Sequence, residues 1–127
     1  MDVKIRSVIV YPPVKDIDCD FGSYDLPYEI SISLDGKNLR TDKRRLACCY
    51  ESKNLLSMAD SYDFLSEEGK KRFIAKFLSE YLAPLIWKRR WNSIMPKREI
   101  ENIEFAMQRL KQVDLNQYQE FINFVNK

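Results

Sequence analysis

The sequence contains no histidine. That absence removes the Ser-His-Asp and Cys-His catalytic arrangements, in which an imidazole must carry the proton. It also removes mixed histidine–cysteine zinc sites, and Cys19, Cys48 and Cys49 do not make an all-cysteine one. Their odd number, with two adjacent, is a poor disulfide framework. Neighbours along a strand point to opposite faces, so a bridge between them is strained. Free thiols fit a reducing cytoplasm, where Cys48 and Cys49 are expected to act as small buried hydrophobes. Glycine is nearly as scarce, at three residues, too few for a phosphate-cradling loop. Few glycines and only five prolines also argue against disorder. The longest unbroken apolar run is Leu82–Trp87, far short of a bilayer span, and Met1 to Pro13 has no signal-like apolar core. The expectation is a soluble cytoplasmic protein with no membrane partner and no cofactor.

What is present suits one globular α+β domain of 127 residues, long enough to build a core without disulfide or metal. Strands come first. Residues 3–11 place Val3, Ile5, Ile9 and Tyr11 on one face with Ser7 between them, Val8 and Val10 predict a far end covered on both faces, and Pro12 and Pro13 end the run. Residues 14–27 are acidic, contain Gly22 and Pro27, and read as a loop. In residues 28–34, Tyr28, Ile30, Ile32 and Leu34 alternate with Glu29, Ser31 and Ser33, a strand with one wet face. Asp35-Gly36 comes next, and the pair predicts a type I′ hairpin turn, whose two central positions need positive φ. The return strand begins at Lys37. The segment TDKRR is either a second turn or a bulged continuation, and alternation predicts a firmer strand over Leu46–Glu51.

The second half is helical. Residues 55–64 predict a short helix or turn. Ser66 reads as an N-cap, with Glu67 and Glu68 in the first turn. A wide stripe runs from Phe73 and Ile74 through Phe77, Leu78, Tyr81 and Leu82 to Leu85 and Ile86, with Pro84 expected to kink or split the helix. Pro96 is set to begin the next helix, with Ile100, Ile103, Met107 and Leu110 inward. Asp114 and Gln117 read as the capping box of a last helix, whose buried stripe is Leu115, Tyr118, Phe121, Ile122 and Val125. The order predicts an N-terminal antiparallel sheet of about three strands with three or so C-terminal helices packed on one face.

Charge alternates in blocks. Residues 1–36 carry −4, 37–53 carry +4, 54–69 carry −4 with no base, 70–98 carry +8 and 99–127 carry −2. Such blocks either present separate faces or neutralise one another. Three features are candidates for binding. Asp16, Asp18 and Asp20 resemble the opening of a calcium loop, but Phe21 and Pro27 stand where glycine and glutamate are required. They read as an acidic edge, able to meet a basic partner. Lys37, Arg40, Lys43, Arg44 and Arg45 crowd the hairpin, where they can lie along phosphates or keep a sheet edge from aggregating. Lys88, Arg89 and Arg90 lie between Trp87 and Trp91. Aromatics interleaved with cations suit single-stranded nucleic acid, but the tryptophans are four apart and continue the apolar stripe, so core packing and dipole capping account for them. Tyr24, Tyr28, Tyr50, Tyr62 and Phe64 fall outside the stripes and can line a protein-binding surface.

No catalytic set is visible. In size and layout alone the chain resembles small bacterial or phage proteins that act by binding another protein. The expected function is a non-catalytic protein-binding module, an inhibitor or immunity protein that neutralises a toxin or enzyme. The alternative is a nucleic-acid-binding module that uses the basic hairpin and the basic helix segment.

Overall fold

The computed structural model describes residues 1–12, 14–15, 24–25, 27–41, 44–45, 50–91 and 94–126. The chain forms two compact units, Met1–Leu65 and Ser66–Lys127. It is an α+β protein, with an antiparallel sheet followed by three long helices. No helix among the described residues is long and apolar enough to cross a membrane.

The first unit is built on strand β4 (Pro27–Leu34). Its alternation is as expected: Tyr28, Ile30, Ile32 and Leu34 are buried, while Glu29, Ser31 and Ser33 are half-buried on the other face. Strand β1 (Val3–Val10) pairs along one side of β4, and β5 (Lys37–Arg40) along the other. Asp35 and Gly36 join β4 to β5 with φ of 49° and 85°, the positive values expected of the predicted turn. Asp35 also anchors the chain start, because its Oδ1 accepts from the Asp2 N–H at 2.7 Å.

β1 departs from its predicted face. Ile5 pairs with Ile32, but Ser7 pairs with Ser31, so the register shifts by one at Arg6. This β-bulge reverses the phase of residues 7–10. Val8 and Val10 then lie opposite Ile30 and Tyr28 and Ile9 opposite Glu29, but Ile9 is 40% and Val10 52% exposed, so the far end of the strand is not covered on both faces as expected.

The register also shifts along the other edge. β5 pairs with β4 from Leu34↔Lys37 to Ser31↔Arg40, whereas β6 (Arg44–Arg45) pairs as Tyr28↔Arg44 and Pro27↔Arg45, one residue out of step. The register thus shifts by one between Arg40 and Arg44, while Asp42 and Lys43 of TDKRR lie outside the described residues. The expected strand over Leu46–Glu51 is not formed at its end, because Tyr50 and Glu51 open helix α1 (Tyr50–Asp60). Six residues of alternation are too few to separate a strand from the start of a helix. Leu46, Ala47, Cys48 and Cys49, like Cys19, lie outside the described residues. The predicted loop over 14–27 is also corrected, since β2 (Val14–Lys15) and β3 (Tyr24–Asp25) pair with each other and β4 starts at Pro27. Proline is tolerated at the first position of a strand. A single turn of 3-10 helix, Tyr62–Phe64, comes after α1.

The second unit contains α2 (Glu67–Trp91), α3 (Lys97–Val113) and α4 (Leu115–Val125), each touching the other two. Ser66 caps α2 through its Oγ, which accepts from the Gly69 N–H at 3.1 Å. Pro84 does not split α2. The apolar face is buried on both sides of it, at Leu78, Tyr81 and Leu82 and again at Ile86. Burial of roughly 1.5–3 kcal/mol per large side chain offsets the ~3 kcal/mol cost of an internal proline. Asp114 serves two helices. Its N–H donates to the Leu110 carbonyl at 2.7 Å and closes α3, while its Oδ1 accepts from the Gln117 N–H at 3.1 Å and opens α4. The stripe expected to be buried along α4 is only partly covered. Tyr118, Phe121 and Ile122 are half-buried, and Leu115 and Val125 are exposed. A short contact with α3 leaves the ends of so short a helix open.

Candidate functional site

Two places collect the predicted side chains. The first is the wet face of the sheet. After the β1 bulge, Tyr11 continues in phase with Ile9 and lies beside Glu29, whose Oε1 accepts from the Tyr11 hydroxyl at 2.9 Å. Arg40, on the opposite flank of β4, donates through Nε to Glu29 Oε2 at 3.0 Å and forms an ion pair with it through Nη2. The Glu29 side chain is 13% exposed and that of Arg40 62%. Arg40 is thus engaged with a carboxylate inside the chain. Arg44 and Arg45 come after it in β6, so the backbone brings Lys37, Arg40, Arg44 and Arg45 to one edge of the sheet. Lys43, Asp16, Asp18 and Asp20 lie outside the described residues, and with them the calcium-loop reading.

The Glu29 contact has a measurable consequence. The hydrogen bond to Glu29 raises the Tyr11 phenol above its ordinary value of about 10, with burial and the carboxylate charge adding to it. The same hydrogen bond pattern holds Arg40 above its ordinary range, through its own bond to Glu29. A raised phenol means that folding favours the protonated form. The stabilisation is complete below about pH 10 and is lost as pH rises through the elevated value. Urea unfolding between pH 8 and 12 should show a steeper loss of stability for the native chain than for Tyr11→Phe. Parallel curves would show that the bond contributes nothing.

The second place is one end of the helical unit, where the last turns of α2 and α4 meet the first turn of α3. Core packing is expected of Trp87, yet it is 57% exposed. It stands about 100° around the helix from buried Ile86, at the margin of the stripe. Its ring stacks on Phe124 of α4, with centroids 6.1 Å apart and planes 24° apart. The Arg90 guanidinium sits 5.1 Å from the centre of the same Phe124 ring. Lys88 Nζ lies 3.0 Å from both carboxylate oxygens of Glu99 in α3. Arg89, Lys97 and Arg98 are exposed, as is Ile94 at 86%. Three cations in the last turn of α2 also suit the negative end of its dipole, as expected.

Sequence reasoning missed Phe124, Glu99 and Ile94. Phe124 carried one signal, an aromatic standing off the main stripe of its helix, which implies a second contact face. Of the aromatics proposed for a binding surface, Tyr28 is instead fully buried, because it occupies an inward position of β4, while Phe64 is 91% exposed.

No protein-family model matches the chain, and no curated protein or solved structure does either. Function must be argued from the surfaces themselves.

Proposed function

We propose that this chain is a non-catalytic protein-binding module, of the kind by which a small inhibitor or immunity protein neutralises a toxin or enzyme. The observation that carries the reading is the Trp87–Phe124–Arg90 cluster at the end of the helical unit. Tryptophan and arginine dominate the energetics of protein interfaces, because a large ring or planar cation buries much area with few rotors. Stacking and the cation contact already hold these groups in place, so a partner need not order them.

The charges also favour protein over nucleic acid. Lys88 is paired with Glu99 and Arg40 with Glu29, so part of each basic cluster is neutralised within the chain. Glu99, Glu101 and Glu104 interrupt the positive run along α3. A single-strand track needs a continuous positive groove beneath its stacking rings. The nucleic-acid reading keeps one support, the basic residues aligned along β5 and β6.

Affinity capture from nuclease-treated native lysate separates the two. The native chain should retain a protein that the Trp87→Ala, Phe124→Ala double variant releases. Retention that disappears with nuclease, or that ignores the double variant, would overturn the reading.

A further inference from the structure

The end of the helical unit has its chemical complement elsewhere in the same chain. Residues 54–69 contain four acidic and no basic side chains. Within them, the 3-10 turn Tyr62–Phe64 presents the most exposed large apolar side chain among the described residues, Phe64 at 91%. Asp60 and Asp63 beside it are exposed as well. The turn is internally fastened. The Phe64 N–H donates to the Ser61 carbonyl at 2.9 Å, the Leu65 N–H donates to the Tyr62 carbonyl at 3.1 Å, and the Ser61 hydroxyl donates to the Ser57 carbonyl at 2.8 Å. The ring therefore projects from an ordered support. Asp60 and Asp63 also border a recess of about 260 Å3 against the start of β1, where Lys4 is the cation among the lining residues.

The two surfaces match in kind. One offers Phe64 beside Asp63, with Asp60 one helical turn before it. The other offers Trp87 and Ile94 among Arg89, Arg90, Lys97 and Arg98. Arginine forks bind carboxylates in pairs, and opposite charges around an apolar centre both steer encounter and set register. We propose that the acidic turn of one copy docks on the basic aromatic end of a second copy, with Phe64 packed against Trp87 and Ile94. Asp60 and Asp63 then face the arginines. The inference rests on the reading of that end as a protein-binding surface and specifies the partner's chemistry, an acidic turn carrying a projecting aromatic ring. Because the two patches differ, each contact joins the turn of one copy to the helical end of another, and association closes as a reciprocal dimer or a ring, or continues as an open chain.

Sedimentation velocity over a concentration series tests this. In low salt the native chain should gain mass with concentration, and salt should reverse the gain. A turn-defective variant, Asp63→Lys with Phe64→Ala, and an end-defective variant, Trp87→Ala with Arg90→Glu, should each stay monomeric. An equimolar mixture of the two should give a discrete heterodimer and nothing larger, because only one intact pair of surfaces remains. Trp87→Ala alone should weaken association about tenfold or more. Should a double variant lose its circular dichroism spectrum, Asp63→Lys or Arg98→Glu alone repeats that arm. A native chain that stays monomeric throughout overturns the proposal, as does a mixture that stays monomeric. So does a native chain that stays monomeric yet binds oligo(dT) or phosphatidylserine vesicles through the same end. If the end-defective variant abolishes association and the turn-defective one does not, the acidic turn is not the occupant, while the reading of the helical end as a protein-binding surface stands.

Discussion

Replacing Phe77 with alanine should destabilise the helical unit by roughly 3–5 kcal/mol, the usual range for deleting a buried aromatic ring. Phe77 is fully buried in the middle of α2. Its ring lies 6.2 Å from that of Phe73 and 6.4 Å from that of Tyr81, the latter nearly parallel at 8°. The truncation therefore opens a void and removes two ring contacts from one helical face. Neighbours on a helix cannot close over such a gap without moving the backbone, so the cavity persists. Both tryptophans of the chain lie in α2, so their fluorescence during urea unfolding reports on this unit. Phe77→Leu, which keeps much of the volume, should cost well under half as much. A loss below about 1 kcal/mol for Phe77→Ala would mean that the α2 stripe is not the core of the unit.

Thr41→Val should cost about 1–3 kcal/mol, although it preserves shape and adds apolar surface. Directly after β5, the Thr41 N–H donates to the Ile30 carbonyl at 3.0 Å, as in a regular ladder. The return bond is different. The Ile30 N–H donates to Thr41 Oγ1 at 3.1 Å, so a side-chain oxygen accepts where a strand carbonyl otherwise would. Thr41 is only 1% exposed, hence water cannot replace that acceptor. Valine leaves a buried N–H in the central strand without a partner. Thr41→Ser keeps the oxygen and should recover most of the loss. Equal stability of the valine and serine variants, measured by denaturant unfolding, would remove the hydroxyl from this role.

Local features were legible wherever their cause spans a few residues. The Asp35-Gly36 turn arises from the need for two positive φ values. The alternation of Tyr28 to Leu34 marks a strand with one buried face. The caps at Ser66 and Asp114 arise from short polar side chains placed one turn before the amides they accept from. Asp114 supplies only half of a capping box, because its own N–H donates to the Leu110 carbonyl. The basic clusters were visible as composition. Their state was not, because the carboxylates of Glu29 and Glu99 that engage Arg40 and Lys88 stand 11 residues away in sequence.

By itself, then, the sequence determined the α+β order, the hairpin, the inward residues of β4, α2 and α3, and the absence of any imidazole chemistry. Each depends on residue type, short-range periodicity or simple presence. Tertiary structure alone decided the phase of β1 beyond Arg6, the Thr41 hydroxyl as acceptor for Ile30, the continuity of α2 through Pro84, the partial cover of α4, and the exposure of Trp87 and Phe64. The physical reason is common to all of these. A bulge is defined by the register of the partner strand, a proline is tolerated when both flanks are buried, and an aromatic is inside or outside according to what packs against it.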